Sequence, residues 1–230
     1  MSIKNKVFEQ LEGNLIVSCQ ALPDEPLHSP YIMGKMAHAA LLGGAKGIRA
    51  NSVEDIREIK KTVNLPIIGI IKEVYEGSDV FITPTMKEID LLCQEKVDII
   101  ALDATKRVRP DGKIISEVFP LYREKYPEQL FMADCSTIEE AEEAYRLGFD
   151  CLGTTLSGYT EYTKGKELPD TELIAKMVER FDIPIIAEGG IWTPEELRSV
   201  FEHGVHCAVV GTAITRPMEI TKKFMSAIEG

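Results

Sequence analysis

The stretch that decides the fold runs Ile183-Pro184-Ile185-Ile186-Ala187-Glu188-Gly189-Gly190, then Thr193-Pro194-Glu195-Glu196, then His203-Gly204-Val205-His206-Cys207-Ala208-Val209-Val210-Gly211-Thr212. It opens with a short, continuously apolar run, the pattern of a parallel strand covered by helices rather than of a strand with one wet face. Thr193 followed by proline and two glutamates reads as a capped helix start, with proline at the first helical position. Gly204 then stops that helix just before the next apolar run. Strand, loop, helix, loop, strand is one β/α unit, and the second strand again ends in glycine and a hydroxyl residue.

Working outward, the same unit recurs along the chain. Apolar runs lie at Leu15-Ile16-Val17-Ser18, Lys46-Gly47-Ile48-Arg49, Pro66-Ile67-Ile68-Gly69-Ile70-Ile71-Lys72 and Asp98-Ile99-Ile100-Ala101-Leu102-Asp103. They continue at Leu130-Phe131-Met132-Ala133-Asp134 and Asp150-Cys151-Leu152-Gly153-Thr154, which with the two above makes eight. Ser52 ahead of Val53-Glu54-Asp55 and Ser136-Thr137 ahead of Ile138-Glu139-Glu140 predict capped helix starts in capping-box style. Gly148 repeats the stop seen at Gly204. Strand starts fall roughly 20 to 33 residues apart, as β/α units require. Eight such units in 230 residues predict a single-domain α/β protein, a (β/α)8 TIM barrel over residues 1–230 with a short N-terminal helix. An open doubly wound sheet is the alternative, but no GxGxxG follows the first strand, so its dinucleotide-binding version has no support.

Composition sets bounds on function. With 26 basic and 37 acidic residues the net charge is −11, which disfavours a nucleic-acid partner and means that an anionic ligand must be held by a local cluster of donors. No apolar run approaches the ~20 residues of a membrane-spanning helix. Residues 1–9 lack the apolar core of a secretory signal. Five scattered cysteines without a CxxC pair point to reduced thiols and a cytoplasmic location. His28, His38, His203 and His206 do not converge with the strand-end carboxylates, so no metal is expected. Tyr31, Met33 and Met36, and Ile89 with Leu91-Leu92, follow helical spacing and read as core.

In a (β/α)8 barrel the active site forms at the carboxyl ends of the strands. Those ends carry Gln20, Arg49, Lys72, Asp103, Asp134, Thr154-Thr155, Glu188-Gly189-Gly190 and Gly211-Thr212. One polar residue closing an apolar strand is usually a structural tie; many together point to a site. Gly189, Gly190, Gly211 and Thr212 lie in the loops after strands seven and eight, where phosphate sites are commonly built from backbone N–H groups, and Arg216 adds a charged clamp. Lys72 ends a strongly apolar strand, so burial should lower its pKa and make it a usable base. It is otherwise an ion-pair partner for Glu188, or an imine-forming lysine, and spacing alone does not separate these readings. The arginines of Arg107-Val108-Arg109-Pro110-Asp111-Gly112 either touch substrate or are solvated. The long connection Thr154-Thr155-Leu156-Ser157-Gly158-Tyr159-Thr160 reads as a lid.

These segments carry a resemblance. Val17-Ser18-Cys19-Gln20-Ala21, Gly47-Ile48-Arg49-Ala50, Gly69-Ile70-Ile71-Lys72, Ala133-Asp134-Cys135-Ser136-Thr137, Gly153-Thr154-Thr155-Leu156-Ser157-Gly158-Tyr159-Thr160, Ile186-Ala187-Glu188-Gly189-Gly190 and Val210-Gly211-Thr212-Ala213-Ile214-Thr215-Arg216-Pro217 together resemble the N-acetylmannosamine-6-phosphate 2-epimerase family. The resemblance implies a cofactor-independent isomerase of sialic acid and amino sugar breakdown, interconverting N-acetylmannosamine 6-phosphate and N-acetylglucosamine 6-phosphate at C2. It casts Lys72 as the base with Glu188 beside the reacting centre. Gln20, Arg49, Asp134, Thr155 and Tyr159 then bind the sugar, and Gly189, Gly190, Gly211, Thr212 and Arg216 hold the 6-phosphate. A Schiff-base lyase and an RNA-binding regulator built on a similar barrel are the competing classes. The partners expected are a small amino sugar phosphate and a second copy in a homodimer, with no nucleic acid and no membrane.

Overall fold

The computed structural model describes residues 3–229, so residues 1, 2 and 230 of the expected 1–230 domain lie outside it. Helix α1 (Ile3–Leu11) precedes β1 (Asn14–Cys19), α2 (Pro30–Leu42), β2 (Gly47–Asn51), α3 (Val53–Thr62), β3 (Ile67–Ile70), α4 (Met86–Gln94), β4 (Ile99–Asp103) and α5 (Ile115–Lys125). There follow β5 (Leu130–Asp134), α6 (Ile138–Leu147), β6 (Cys151–Gly153), α7 (Thr171–Arg180), β7 (Ile185–Glu188), α8 (Pro194–Glu202), β8 (Cys207–Val210), a one-turn α9 (Thr212–Thr215) and α10 (Pro217–Glu229). The eight strands pair in chain order, all parallel, and β8 pairs back onto β1 to close the barrel. This is the predicted (β/α)8 architecture, and each predicted strand lies where its apolar run does.

The pleat of the strands explains the two layers of the core. Alternate residues point into the barrel, where Ile16, Ile68, Ile70, Ile99, Ala101, Met132, Ile186 and Val209 pack together. Their neighbours, such as Val17, Ile48, Leu102, Phe131 and Ala187, pack outward against the helices. Val7 and Leu11 of α1 join the inner cluster, so this helix closes the N-terminal end of the barrel. Following the inward register toward the other end, apolar layers give way to Ser18, Arg49, Asp134 and Glu188. The barrel is therefore dry below and polar at its mouth.

Local chemistry sets the helix ends. Thr137 with Glu140 and Thr193 with Glu196 form reciprocal capping boxes, as does Thr85 with Glu88, which the sequence reading did not single out. At Ser52 only half the expected box forms. Its hydroxyl accepts from the Asp55 N–H at 3.2 Å, but its own N–H donates to the Ile70 carbonyl. Asp55 is turned inward instead, and burial pushes its carboxyl up to about 6. Gly148 and Gly204 take the positive φ that ends α6 and follows α8.

Two expectations need correction. Met33 is fully buried and Met36 packs against the core, but Tyr31 is 63% exposed. Two residues from Met33 is about 200° around a helix, so Tyr31 faces away, where the Lys35 ammonium sits 5.1 Å from its ring centre. In the 107–112 loop the arginines neither reach the barrel mouth nor stand in solvent as expected. Arg107 pairs with buried Asp103 at 2.5 Å, and Arg109 is buried, donating to the carbonyls of Asp103 and Thr83. Asp103 is thus a structural tie and lies outside the cavity lining.

Candidate active site

A cavity of about 270 Å³ opens at the carboxyl end of the barrel. Eleven of the twelve predicted site residues line it: Gln20, Arg49, Lys72, Thr155, Tyr159, Glu188, Gly189, Gly190, Gly211, Thr212 and Arg216. The twelfth, Asp134, is fully buried beneath Arg49 and Thr155.

Arg49 is the hub of the floor. It is mid-strand in β2 rather than at the strand end, and only 1% exposed. Its Nη1 donates to Asp134 Oδ1 at 3.1 Å and to Glu188 Oε2 at 2.9 Å, while Nη2 meets Asp134 Oδ2 at 2.6 Å. Thr155 Oγ1 lies 2.7 Å from Asp134 Oδ1 and 3.2 Å from Glu188 Oε2. One guanidinium and one hydroxyl therefore bridge the same two carboxylate oxygens. Burial works against the Arg49 charge, but Asp134 and Glu188 outweigh it and hold its pKa above the ordinary value. For Glu188 burial dominates, and repulsion from Asp134 adds to it, so its carboxyl is raised to about 7 against the pull of Arg49.

Lys72 follows β3 by two residues. Its backbone N–H donates to Asn51 Oδ1 at 2.8 Å, and it forms an antiparallel bridge with Ile82, so its main chain is anchored on both sides. Its ammonium has no hydrogen-bond or ion-pair partner among the described residues. The alternative of a Lys72–Glu188 ion pair is not formed, because Glu188 pairs with Arg49. Burial first, then the Arg49 and Arg216 charges, push the Lys72 pKa down to about 8, with Glu188 and Glu25 opposing. β3 and β7 stand four strands apart in a ring of eight, so Lys72 and Glu188 enter the mouth from opposite sides.

The two glycine loops form one wall. Gly190 has φ of 72°, and a Cβ there would sit 2.2 Å from the Leu168 Cβ; Gly189 has φ of 109°. The N–H groups of Gly190, Thr212 and Ala213 have no acceptor among the described residues. Arg216 follows α9, with its Nε on Glu25 Oε2 at 2.9 Å. Gln20 donates from Nε2 to Ser18 Oγ at 2.7 Å, and its buried Oε1 has no partner among the described residues. The 154–170 connection folds over one side of the mouth, where Ser157 donates to Asp170 at 2.6 Å and Tyr162 donates to Glu140. Tyr159 stands at the rim, 61% exposed.

Sequence reasoning missed Ser18, Asn51, Trp192 and Glu25. Ser18 was legible from the inward register of Ile16, and Asn51 from a β2 run extended by two residues. Nothing local marks Glu25, which meets Arg216 across 191 residues of chain. The histidines stay apart: His28 Nδ1 is 3.1 Å from the Ala21 carbonyl, and His206 Nε2 is 2.8 Å from the Phe8 carbonyl at the far end of the barrel. Among the described residues no cluster of His, Cys, Asp and Glu is placed to hold a metal ion, and no helix is long and apolar enough to cross a membrane.

Comparison with known proteins places the chain in a family. The profile of a family described as "Putative N-acetylmannosamine-6-phosphate epimerase" matches residues 33–230. A Clostridioides difficile (strain 630) protein named "Putative N-acetylmannosamine-6-phosphate 2-epimerase" is 56% identical over 223 residues, spanning 97% of this chain and 99% of its own. A protein of the same name from Caldanaerobacter subterraneus subsp. tengcongensis is 55% identical over 223 residues, spanning 97% and 94%. The solved N-acetylmannosamine-6-phosphate 2-epimerase from Clostridium perfringens superposes with a TM-score of 0.91 at 54% identity, over 96% of this chain and 95% of that one. Thiamine phosphate pyrophosphorylase from Pyrococcus furiosus, at 20% identity and a TM-score of 0.59, shares the barrel alone. With more than half of its residues shared over nearly its whole length, and the same barrel, the chain belongs to the N-acetylmannosamine-6-phosphate 2-epimerase family.

Proposed function

We propose that this protein interconverts N-acetylmannosamine 6-phosphate and N-acetylglucosamine 6-phosphate without a resident cofactor, in the breakdown of sialic acid and other amino sugars. The observation that carries the reading is Lys72: an ammonium with no partner among the described residues, on an anchored backbone, with its pKa pushed down to about 8. About a tenth of it is neutral at pH 7, against well under a thousandth at the ordinary lysine value. In the open-chain sugar the C2–H is adjacent to the C1 aldehyde. Lys72 takes that proton, the C–H electrons form the C1–C2 double bond, and the carbonyl electrons move to the C1 oxygen as an enolate. The new ammonium and Arg49 stabilise that charge. Glu188 in its acid form, on the opposite side of the mouth, protonates C2 on its other face to give the epimer, and exchange with solvent moves the proton left on Lys72 back to Glu188.

Ring opening needs a proton to leave the C1 hydroxyl and another to reach the ring oxygen. Glu188 is suited to both because its raised pKa keeps acid and carboxylate forms available near neutrality. The N–H groups of Gly190, Thr212 and Ala213, with Arg216, hold the 6-phosphate, a local electropositive pocket in an acidic protein. Gln20 and Tyr159 meet the sugar and its acetamido group.

The reading is tested by adding N-acetylmannosamine 6-phosphate and following products by NMR, with the unphosphorylated sugar as control. N-acetylglucosamine 6-phosphate should appear from the phosphorylated sugar far faster. Equal turnover of both sugars would remove the phosphate assignment. A borohydride-trapped adduct on Lys72 would replace the base with an imine.

The protein also acts, we propose, as a homodimer in the cytoplasm. On α10 Phe224 is 74% and Ile228 78% exposed, an apolar face that a second copy would cover. All five cysteines are free and four are buried, as suits a reducing compartment. A monomeric mass in sedimentation would refute the dimer.

A further inference from the structure

An acidic side chain reaches into the wall where a phosphate ester is proposed to bind. Glu25, in the connection between β1 and α2, is only 10% exposed and lines the same cavity as Gly190 and Thr212. Its loop is folded on itself: the Glu25 N–H donates to the Leu22 carbonyl at 2.9 Å, and the His28 N–H donates to the Glu25 carbonyl at 3.0 Å. The carboxylate is fixed by division of labour. Oε1 accepts from the Leu22 N–H at 3.2 Å, and Oε2 accepts from Arg216 Nε at 2.9 Å.

Arg216 itself sits between two helices. Its N–H donates to the Thr212 carbonyl at 3.3 Å, and its carbonyl accepts from Ile220 at 3.0 Å. The side chain is about one-third exposed, so without a tether its guanidinium would sample many rotamers and lose that freedom on binding an anion. Glu25 engages the Nε edge alone. Both Nη groups, with their four N–H donors, are left without a partner among the described residues, and they form the end of the fork that meets an oxyanion bidentately.

We propose that Glu25 is a positioning residue for phosphate recognition: it holds Arg216 by Nε so that the two Nη groups are presented to the 6-phosphate. This rests on the phosphate reading given above. A carboxylate in direct competition with the ligand would occupy the Nη fork; this one leaves it open and turns its second oxygen to Leu22. The arrangement also accounts for a negative charge in an anion pocket, since the ion pair cancels it while the amides and the Nη fork remain free.

The test is Glu25→Gln, which keeps size and removes charge, beside Arg216→Ala. KM and kcat are measured with N-acetylmannosamine 6-phosphate, and the affinity for inorganic phosphate is measured by calorimetric titration, which needs no turnover. Thermal melting shows that each variant is folded. The expected result is that Glu25→Gln weakens both KM and phosphate affinity about tenfold (about 1.4 kcal/mol) while kcat changes less than twofold. A general loosening of the fold would instead lower kcat and the melting temperature together. Unchanged or tighter phosphate binding in Glu25→Gln, with loss in Arg216→Ala, overturns the proposal and leaves the phosphate site standing. No loss in either variant overturns the phosphate site as well.

Discussion

Replacing Arg49 by methionine tests the hub beneath the site. The guanidinium is 1% exposed and makes three hydrogen bonds to two carboxylates that are themselves withdrawn from water. Methionine fills much of the same volume but leaves Asp134 and Glu188 facing one another with only the Thr155 hydroxyl between them. Removing one partner of a buried ion pair costs about 3–5 kcal/mol. In a chain of this size each kcal/mol lowers Tm by about 2–4 °C, so a fall of about 6–20 °C is expected. The deficit must also depend on pH. Glu188 already has a folded pKa of about 7, above its ordinary 4.5, so its ionisation removes stability as pH rises through that value. Without the Arg49 charge, which opposes the rise, the folded pKa of Glu188 moves higher still. The wild type then stops losing stability just above pH 7 while the variant continues. Calorimetry at pH 6 and pH 8.5 should show a larger Tm gap at the higher pH, and Asp134→Asn added to Arg49→Met should narrow it. A gap that is constant or shrinks with rising pH would refute the electrostatic reasoning, and a variant as stable as wild type would refute the hub.

Thr155→Val removes the hydroxyl that lowers the Glu188 pKa, so the pKa assigned to Glu188 in the pH–rate profile should rise, while Thr155→Ser should stay near wild type; no shift in the valine variant would contradict the bridge. Gly190→Ala must accept both φ of 72° and a Cβ 2.2 Å from the Leu168 Cβ, whereas at Gly189 nothing lies nearer than 3.8 Å. Left-handed backbone alone costs about 1–2 kcal/mol, so Gly190→Ala should lower Tm by more than Gly189→Ala and weaken KM; equal losses would show that Leu168 yields.

The barrel was legible because each strand is a continuous apolar run and helices such as α3, α6 and α8 carry their own N-caps, signals that are local in sequence. Most of the site was legible for the same reason: in parallel β/α units every strand delivers its end to one mouth. Arg49 shows the limit of reading strand ends alone. What places it over Asp134 is the inward register it shares with Met132 and Glu188, a property of the pleat rather than of position along the strand. Glu25 shows a second limit, because its contact with Arg216 joins the first loop to the last and neither loop carries a pattern announcing the other. Tyr31 failed for a third reason: apolar spacing of two and five residues mixes opposite faces of α2, and only the face carrying Met33, Met36 and Ala37 meets the core.

The central claim is that the Lys72 amine removes the C2 proton. It is tested most directly by incubating folded Lys72→Ala with N-acetylglucosamine 6-phosphate in heavy water beside the wild type, and following the C2 proton by NMR. Wild type should lose that signal as the manno epimer appears, and the variant should keep it while still binding inorganic phosphate. Deuterium entering C2 in Lys72→Ala at a rate near that of wild type would contradict the account.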